Sequence, residues 1–109
     1  MRRRCLPLAM LALIWAFSTS ARADDYVLTI KNHEFSPKEL TLPAGQKIRL
    51  IVKNLDPAPA EFESPDLNRE KLVTGNSDIS VFIGPLSAGK YTFFDDFHRD
   101  TTTGIIIVK

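Results

Sequence analysis

The chain is 109 residues long, 44% hydrophobic and 25% charged, with a formal net charge of +1 and a single cysteine. That length suits one domain with its own core, and one cysteine cannot form an intrachain disulfide. The near-balance of charge, with no basic run outside the extreme N-terminus, speaks against nucleic acid as a partner.

Residues 1–23 have the layout of an export signal. Arg2, Arg3 and Arg4 precede an apolar stretch from Leu6 to Phe17, and Ala21-Arg22-Ala23 is a small-residue cleavage sequence. The apolar stretch is too short for a spanning helix. The Arg2-Arg3 pair leaves the general and twin-arginine routes both open. Cleavage after Ala23 leaves residues 24–109 as one soluble periplasmic domain and removes Cys5 with the signal. It also removes four arginines, so ten basic side chains face thirteen acidic ones, a net of −3.

Short alternating segments separated by turn residues follow, which predicts an all-β domain. Tyr26 to Lys31 alternates with Leu28 and Ile30 on one face, Asn32 to Pro37 interrupts it, and Glu39 to Leu42 resumes. Pro43 to Gln46 reads as a hairpin turn, with Gly45 where a positive φ is needed. Lys47 to Lys53 alternates again, Asn54 to Pro59 is irregular, and Ala60 to Ser64 is a brief strand. Leu67 to Val73 fits a helical turn or an edge strand equally. Ile79 to Ile83, Tyr91 to Asp95 and an apolar Gly104 to Val108 complete seven to eight strands, a Greek-key β-sandwich. The expected core comprises Leu28, Ile30, Phe35, Leu40, Ile48, Leu50, Val81, Ile83, Tyr91, Phe93 and Ile106.

Two clusters carry the ionisable chemistry: Glu61-Phe62-Glu63 and Asp95-Asp96-Phe97-His98. Period-2 geometry puts Asp95 on the face of Tyr91 and Phe93, hence inward, where a carboxylate needs a cation, a metal or several hydrogen bonds. Glu61 and Glu63 share a face, which is inward or outward depending on Phe62. Arg69 and Lys71 could pair with them. Asp96 faces away from Asp95 on an ideal strand. Strand direction brings His33 and Glu34 beside the 54–63 loop at one pole of the sandwich.

Several short stretches together resemble a cupredoxin across Val27 to Val108. They are Asn32 to Pro37, Pro43-Ala44-Gly45, Glu61 to Ser64, Arg69-Glu70-Lys71, Ile83 to Leu86 and Tyr91 to His98. The resemblance is narrower still to cupredoxin-like proteins of bacterial periplasmic iron-uptake systems, the EfeO type and the relatives found in Ftr-type ferrous-iron transporters. It implies a first copper-binding His near Glu61, the Cys at Asp95, the second His at His98 and the axial Met within Thr101 to Thr103. Only His98 matches. Carboxylate in place of thiolate turns a soft site hard, which implies iron, manganese or copper without a type 1 centre.

The resemblance therefore implies a periplasmic metal-binding protein that delivers iron to a membrane permease or another uptake component, with assistance to Fe(II) oxidation as an open addition. Its metal ligands would be Glu61, Glu63, Asp95 and His98, with Asp96 or His33 as additions. The alternative is a salt-bridged pole that docks a partner without metal, with Arg69, Lys71 and Arg99 neutralising the acids. A basic side chain among the acids distinguishes the two. A hydrolase is a weaker third reading.

Overall fold

The structure is a computed structural model that describes residues 23–109; the expected export signal, Ala23 apart, and Cys5 lie outside the described residues. The strands are β1 Asp24–Lys31, β2 Glu34–Ser36, β3 Glu39–Leu42, β4 Ile48–Asn54, β5 Ala60–Ser64, β6 Arg69–Val73, β7 Ser77–Ile83, β8 Gly89–Asp95 and β9 Thr103–Val108. Among the described residues a single 3-10 turn, Asp96–His98, follows β8. One sheet has the order β2-β1-β4-β7 and the other β3-β9-β8-β5-β6. The all-β sandwich is as expected, with nine strands among the described residues rather than seven or eight.

The extra strand is β2, which lies inside the expected break. Asn32 and His33 turn the chain with φ of 53° and 58°, so Lys31 pairs with Glu34 and Phe35 enters the core opposite Ile30. The ambiguous segment resolves as a four-residue turn, 65–68, and then an edge strand from Arg69. Pro43 to Gln46 is not a hairpin. Gly45 has the positive φ, 74°, but β3 and β4 lie in different sheets. β3 runs parallel to β9, with Leu42 beside Val108, whereas β4 lies between β1 and β7. Pattern alone finds every strand but β2, leaves β6 open, and pairing decides the sheet of each.

Phe62 belongs to the core although its neighbours are charged: β5 alternates fully, with Phe62 at 0% exposure. It stacks on Phe93 at 5.5 Å between centroids, and Phe35 meets Phe93 edge-on at 4.8 Å. Such pairs contribute about 0.5–1.5 kcal/mol beyond the area they bury. Leu40 and Tyr91, expected in the core, are only partly buried against it, while Leu42, Val52, Ala60, Leu67, Val73 and Val108 join it. The aromatic cluster floors one pole, where the 32–33 turn, the 55–59 loop and the 96–102 segment meet.

Candidate metal centre

Because Phe62 points inward, Glu61 and Glu63 lie on the outer face of the five-stranded sheet. Antiparallel pairing places Glu70 of β6 opposite Glu63, and the 3-10 turn swings Asp96 over the same face. Glu61, Glu63 and Asp96 each present an oxygen within 4.8 Å of the others. The Glu61 carboxyl is held above its ordinary range, first by hydrogen bonding with Glu70 and then by desolvation. Desolvation first, then hydrogen bonding with Asp96, does the same for Glu63. One Glu63 oxygen, Oε2, is buried with no hydrogen-bond partner among the described residues.

One cation stands among these acids. Arg99 donates from Nε to Asp96 at 2.6 Å and lies 3.7 Å from Glu63 Oε2, with its guanidinium over the Phe94 ring at 4.9 Å. Hydrogen bonding to Asp96 raises its already high pKa. Arg69 and Lys71, the other two expected counter-charges, turn the other way. Arg69 donates to the carbonyl of Phe82 and Lys71 to that of Ser80, both on β7.

Asp95 is inward as expected, 1% exposed, and well satisfied. Its Oδ1 accepts from the amides of Glu61 (2.9 Å) and Phe97 (3.0 Å), and its Oδ2 faces His98 Nδ1 at 3.0 Å. It caps the 3-10 turn and ties β5 to β8 where their ladder has shrunk to Phe62–Asp95 and Glu63–Phe94. The six expected ligands thus fall into two groups. Glu61, Glu63 and Asp96 meet on the outer face, while Asp95, His98 and His33 meet at the pole, with the two imidazole centroids 4.2 Å apart.

The pole also depends on residues outside that set. Asn54 is buried; its amide donates to the Ala58 carbonyl at 2.8 Å and its oxygen accepts from Asp56 N at 3.1 Å. Asp56 accepts from the amides of Asn32 (2.7 Å) and His33 (3.0 Å), and the His33 amide is the main cause of its lowered pKa. Asn-x-Asp-Pro at a strand end signals side chains bonding to loop backbone, and that signal could have found both. Thr102 has no such signal, standing in a run of three threonines.

These opposed shifts give a two-part pH profile. Glu61 and Glu63 carry raised pKa values, so the fold binds their protons more readily than the unfolded chain and gains stability as pH falls from 7 towards 5. Asp56 carries a lowered one, so its contribution is present above the unfolded value of 3.8 and is lost as pH falls below it. Calorimetry from pH 3 to 7 should therefore show a maximum near the weakly acidic end, and Glu63→Gln should flatten the upper slope. A profile that only falls with acid would contradict the strained cluster.

The chain matches the cupredoxin-like domain family over residues 5–108. It is 43% identical over 106 residues to the uncharacterized protein RP394 of Rickettsia prowazekii (strain Madrid E), covering 94% of this chain and 85% of that one. Among solved structures it is similar to auracyanin A, a blue copper protein of Chloroflexus aurantiacus, with 16% identity, TM-score 0.69, and 81% of this chain and 100% of that one covered. It is also similar to the metal-binding domain of the Cu(I)-exporting P-type ATPase CopA of Streptococcus pneumoniae D39, with 11% identity, TM-score 0.70, and 78% and 84% covered. At such identity these two speak for the fold alone. The residues at the pole do not fit thiolate-bound copper: the described residues include no cysteine, and both oxygens of Asp95 are engaged by hydrogen bonds. With its sandwich and its near-complete match, the chain belongs to the cupredoxin-like domain family.

Proposed function

We propose that this is an exported, periplasmic metal-binding protein that takes up ferrous iron at Glu61, Glu63 and Asp96 and passes it to a membrane permease or another component of an iron-uptake system. The observation that carries the reading is the convergence of three carboxylates, one with a buried oxygen that makes no hydrogen bond. An all-carboxylate set suits hard, oxygen-loving cations, and a bound cation would offset the hydrogen bonding, desolvation and repulsion that raise the pKa values of Glu61 and Glu63. Iron is here a cargo rather than a resident cofactor, and the outer face of the sheet leaves it accessible for transfer.

Arg99 favours a second reading, in which the face is an ion-paired docking surface that needs no metal. The two part on one titration, anaerobic Fe(II) with Mn(II) as an air-stable substitute. Under the iron reading, Glu63→Gln and Asp96→Asn each weaken binding at least tenfold, about 1.4 kcal/mol. Arg99→Ala strengthens it, because the ion no longer competes with a resident guanidinium. Wild-type protein that binds neither ion below millimolar concentration would leave only docking.

A further inference from the structure

The turn from β1 to β2 breaks a local rule. Two-residue hairpin turns with both φ values positive favour Asn followed by Gly, because a side chain in the left-handed region costs about 1–2 kcal/mol. Here Asn32 is followed by His33 at φ 58°. The conformation is enforced from outside, by Asp56 on the amides of both residues and by Thr102, whose Oγ1 donates to the His33 carbonyl at 2.6 Å. Thr102 is buried, and it also donates its amide to the His98 carbonyl (2.9 Å) and accepts the Asp95 amide (2.9 Å). One threonine thus fixes the backbones of both histidines and of the carboxylate beneath one of them. Residues that break a local preference while their surroundings hold them there often mark functional positions.

The rings are aimed as well as gathered. His98 Nδ1 donates to Asp95, and His33 Nδ1 lies 3.9 Å from Asp56 Oδ2. The hydrogen bond to Asp95 fixes the His98 tautomer and leaves its Nε2 with a free lone pair, whereas Asp56 lies behind His33 at a distance too long for a hydrogen bond. Nδ1 is the nitrogen nearer a carboxylate in each ring, and neither Nε2 has a hydrogen-bond partner among the described residues. The His98 side chain is 35% exposed and that of His33 51%, which leaves both reachable.

We propose that His33 and His98 form a two-imidazole site for a borderline divalent ion, Cu(II) foremost and Zn(II) after it, bound through Nε2 of each ring. The site is separate from the carboxylates on the outer face and does not depend on the iron reading. Imidazole nitrogen suits copper and zinc, and Cu(II) heads the affinity order for such donors. His98 keeps its hydrogen bond to Asp95 as an orienting contact, and solvent completes the coordination.

The turn geometry supplies an unusually clean test. His33→Gly puts the preferred residue into a left-handed position, so the fold should be as stable as wild type or more so, while Cu(II) affinity should fall at least tenfold. Asp95→Asn retains an oxygen for the two amides but presents Nδ2–H to His98, which moves the His98 proton to Nε2 and should weaken Cu(II) comparably. Glu63→Gln should leave the imidazole couplings of the bound Cu(II) unchanged, which separates this site from the cluster. The chain has two histidines, so imidazole nitrogen couplings in the paramagnetic resonance spectrum of the tag-free Cu(II) protein can arise only from His33 and His98. Coupling to two imidazoles, reduced to one by His33→Gly, is the expected result. Unchanged affinity in His33→Gly, or coupling to a single imidazole in wild type, would overturn the proposal.

Discussion

Asp95→Ala should be among the most damaging single substitutions in this domain. It strips the acceptor from the amides of Glu61 and Phe97 and unhooks the His98 ring. Leaving two such donors without partners costs about 2–4 kcal/mol, and in a domain of this size that lowers the thermal midpoint by roughly 10–25 °C. The loss should be local before it is global, because the 3-10 turn and the short β5–β8 pairing depend on this carboxylate while the opposite pole does not. Asp95→Asn, which keeps one oxygen for the amides, should cost only about 1 kcal/mol. Thermal melts of both variants, with amide exchange at Glu61 and Phe97, read the difference. Equal losses in the two would mean that Asp95 acts through its charge rather than as a hydrogen-bond acceptor.

Gly104→Ala should be the other severe change. Gly104 lies opposite Phe93 in the β8–β9 ladder, and a Cβ there would overlap the Phe93 ring and crowd the Lys38 carbonyl at 3.0 Å. Phe93 cannot step aside, since Phe35 and Phe62 already pack against it. Overpacking of this kind costs about 1–3 kcal/mol. A smaller residue across the strand should recover part of it, so Gly104→Ala combined with Phe93→Leu should lose less than the two single changes together, by at least about 0.5 kcal/mol. Strict additivity in denaturant melts would show that the damage comes from the Lys38 side.

Most strands were legible because they have a period of two and turn residues at their ends; β6, exposed along four of its five residues, was not. What stayed hidden was three-dimensional pairing. Pro43 to Gln46 carries every mark of a hairpin turn, yet the same marks serve a crossover between sheets, and nothing local distinguishes them. Glu34 to Ser36 was obscured by the Asn32-His33 turn, since His is not a residue that announces a left-handed conformation. At the site, the inward position of Asp95 followed from alternation with Tyr91 and Phe93. The division of the six acids and histidines into two groups hinged on Phe62, whose charged neighbours allow either face until the aromatic cluster claims the ring. Glu70 emerged only from the β5–β6 register, whereas Arg99 was one of three expected counter-charges and is the one that the 3-10 turn folds back over Phe94.

The reach of Arg69 and Lys71 across to β7 bears on how the protein behaves in a crowded compartment. β7 is a sheet edge, seven residues long, with Phe82 exposed on it, which would ordinarily invite another chain to add a strand. The carbonyls of Ser80 and Phe82 already hold hydrogen bonds from the two basic side chains, so an incoming backbone meets occupied acceptors and two positive charges. The same pair closes the seam between the sheets where β6 and β7 lie side by side. Neutralising both, as in a double Arg69→Ala, Lys71→Ala chain, should therefore show itself first as concentration-dependent self-association through that edge, before any change in metal binding.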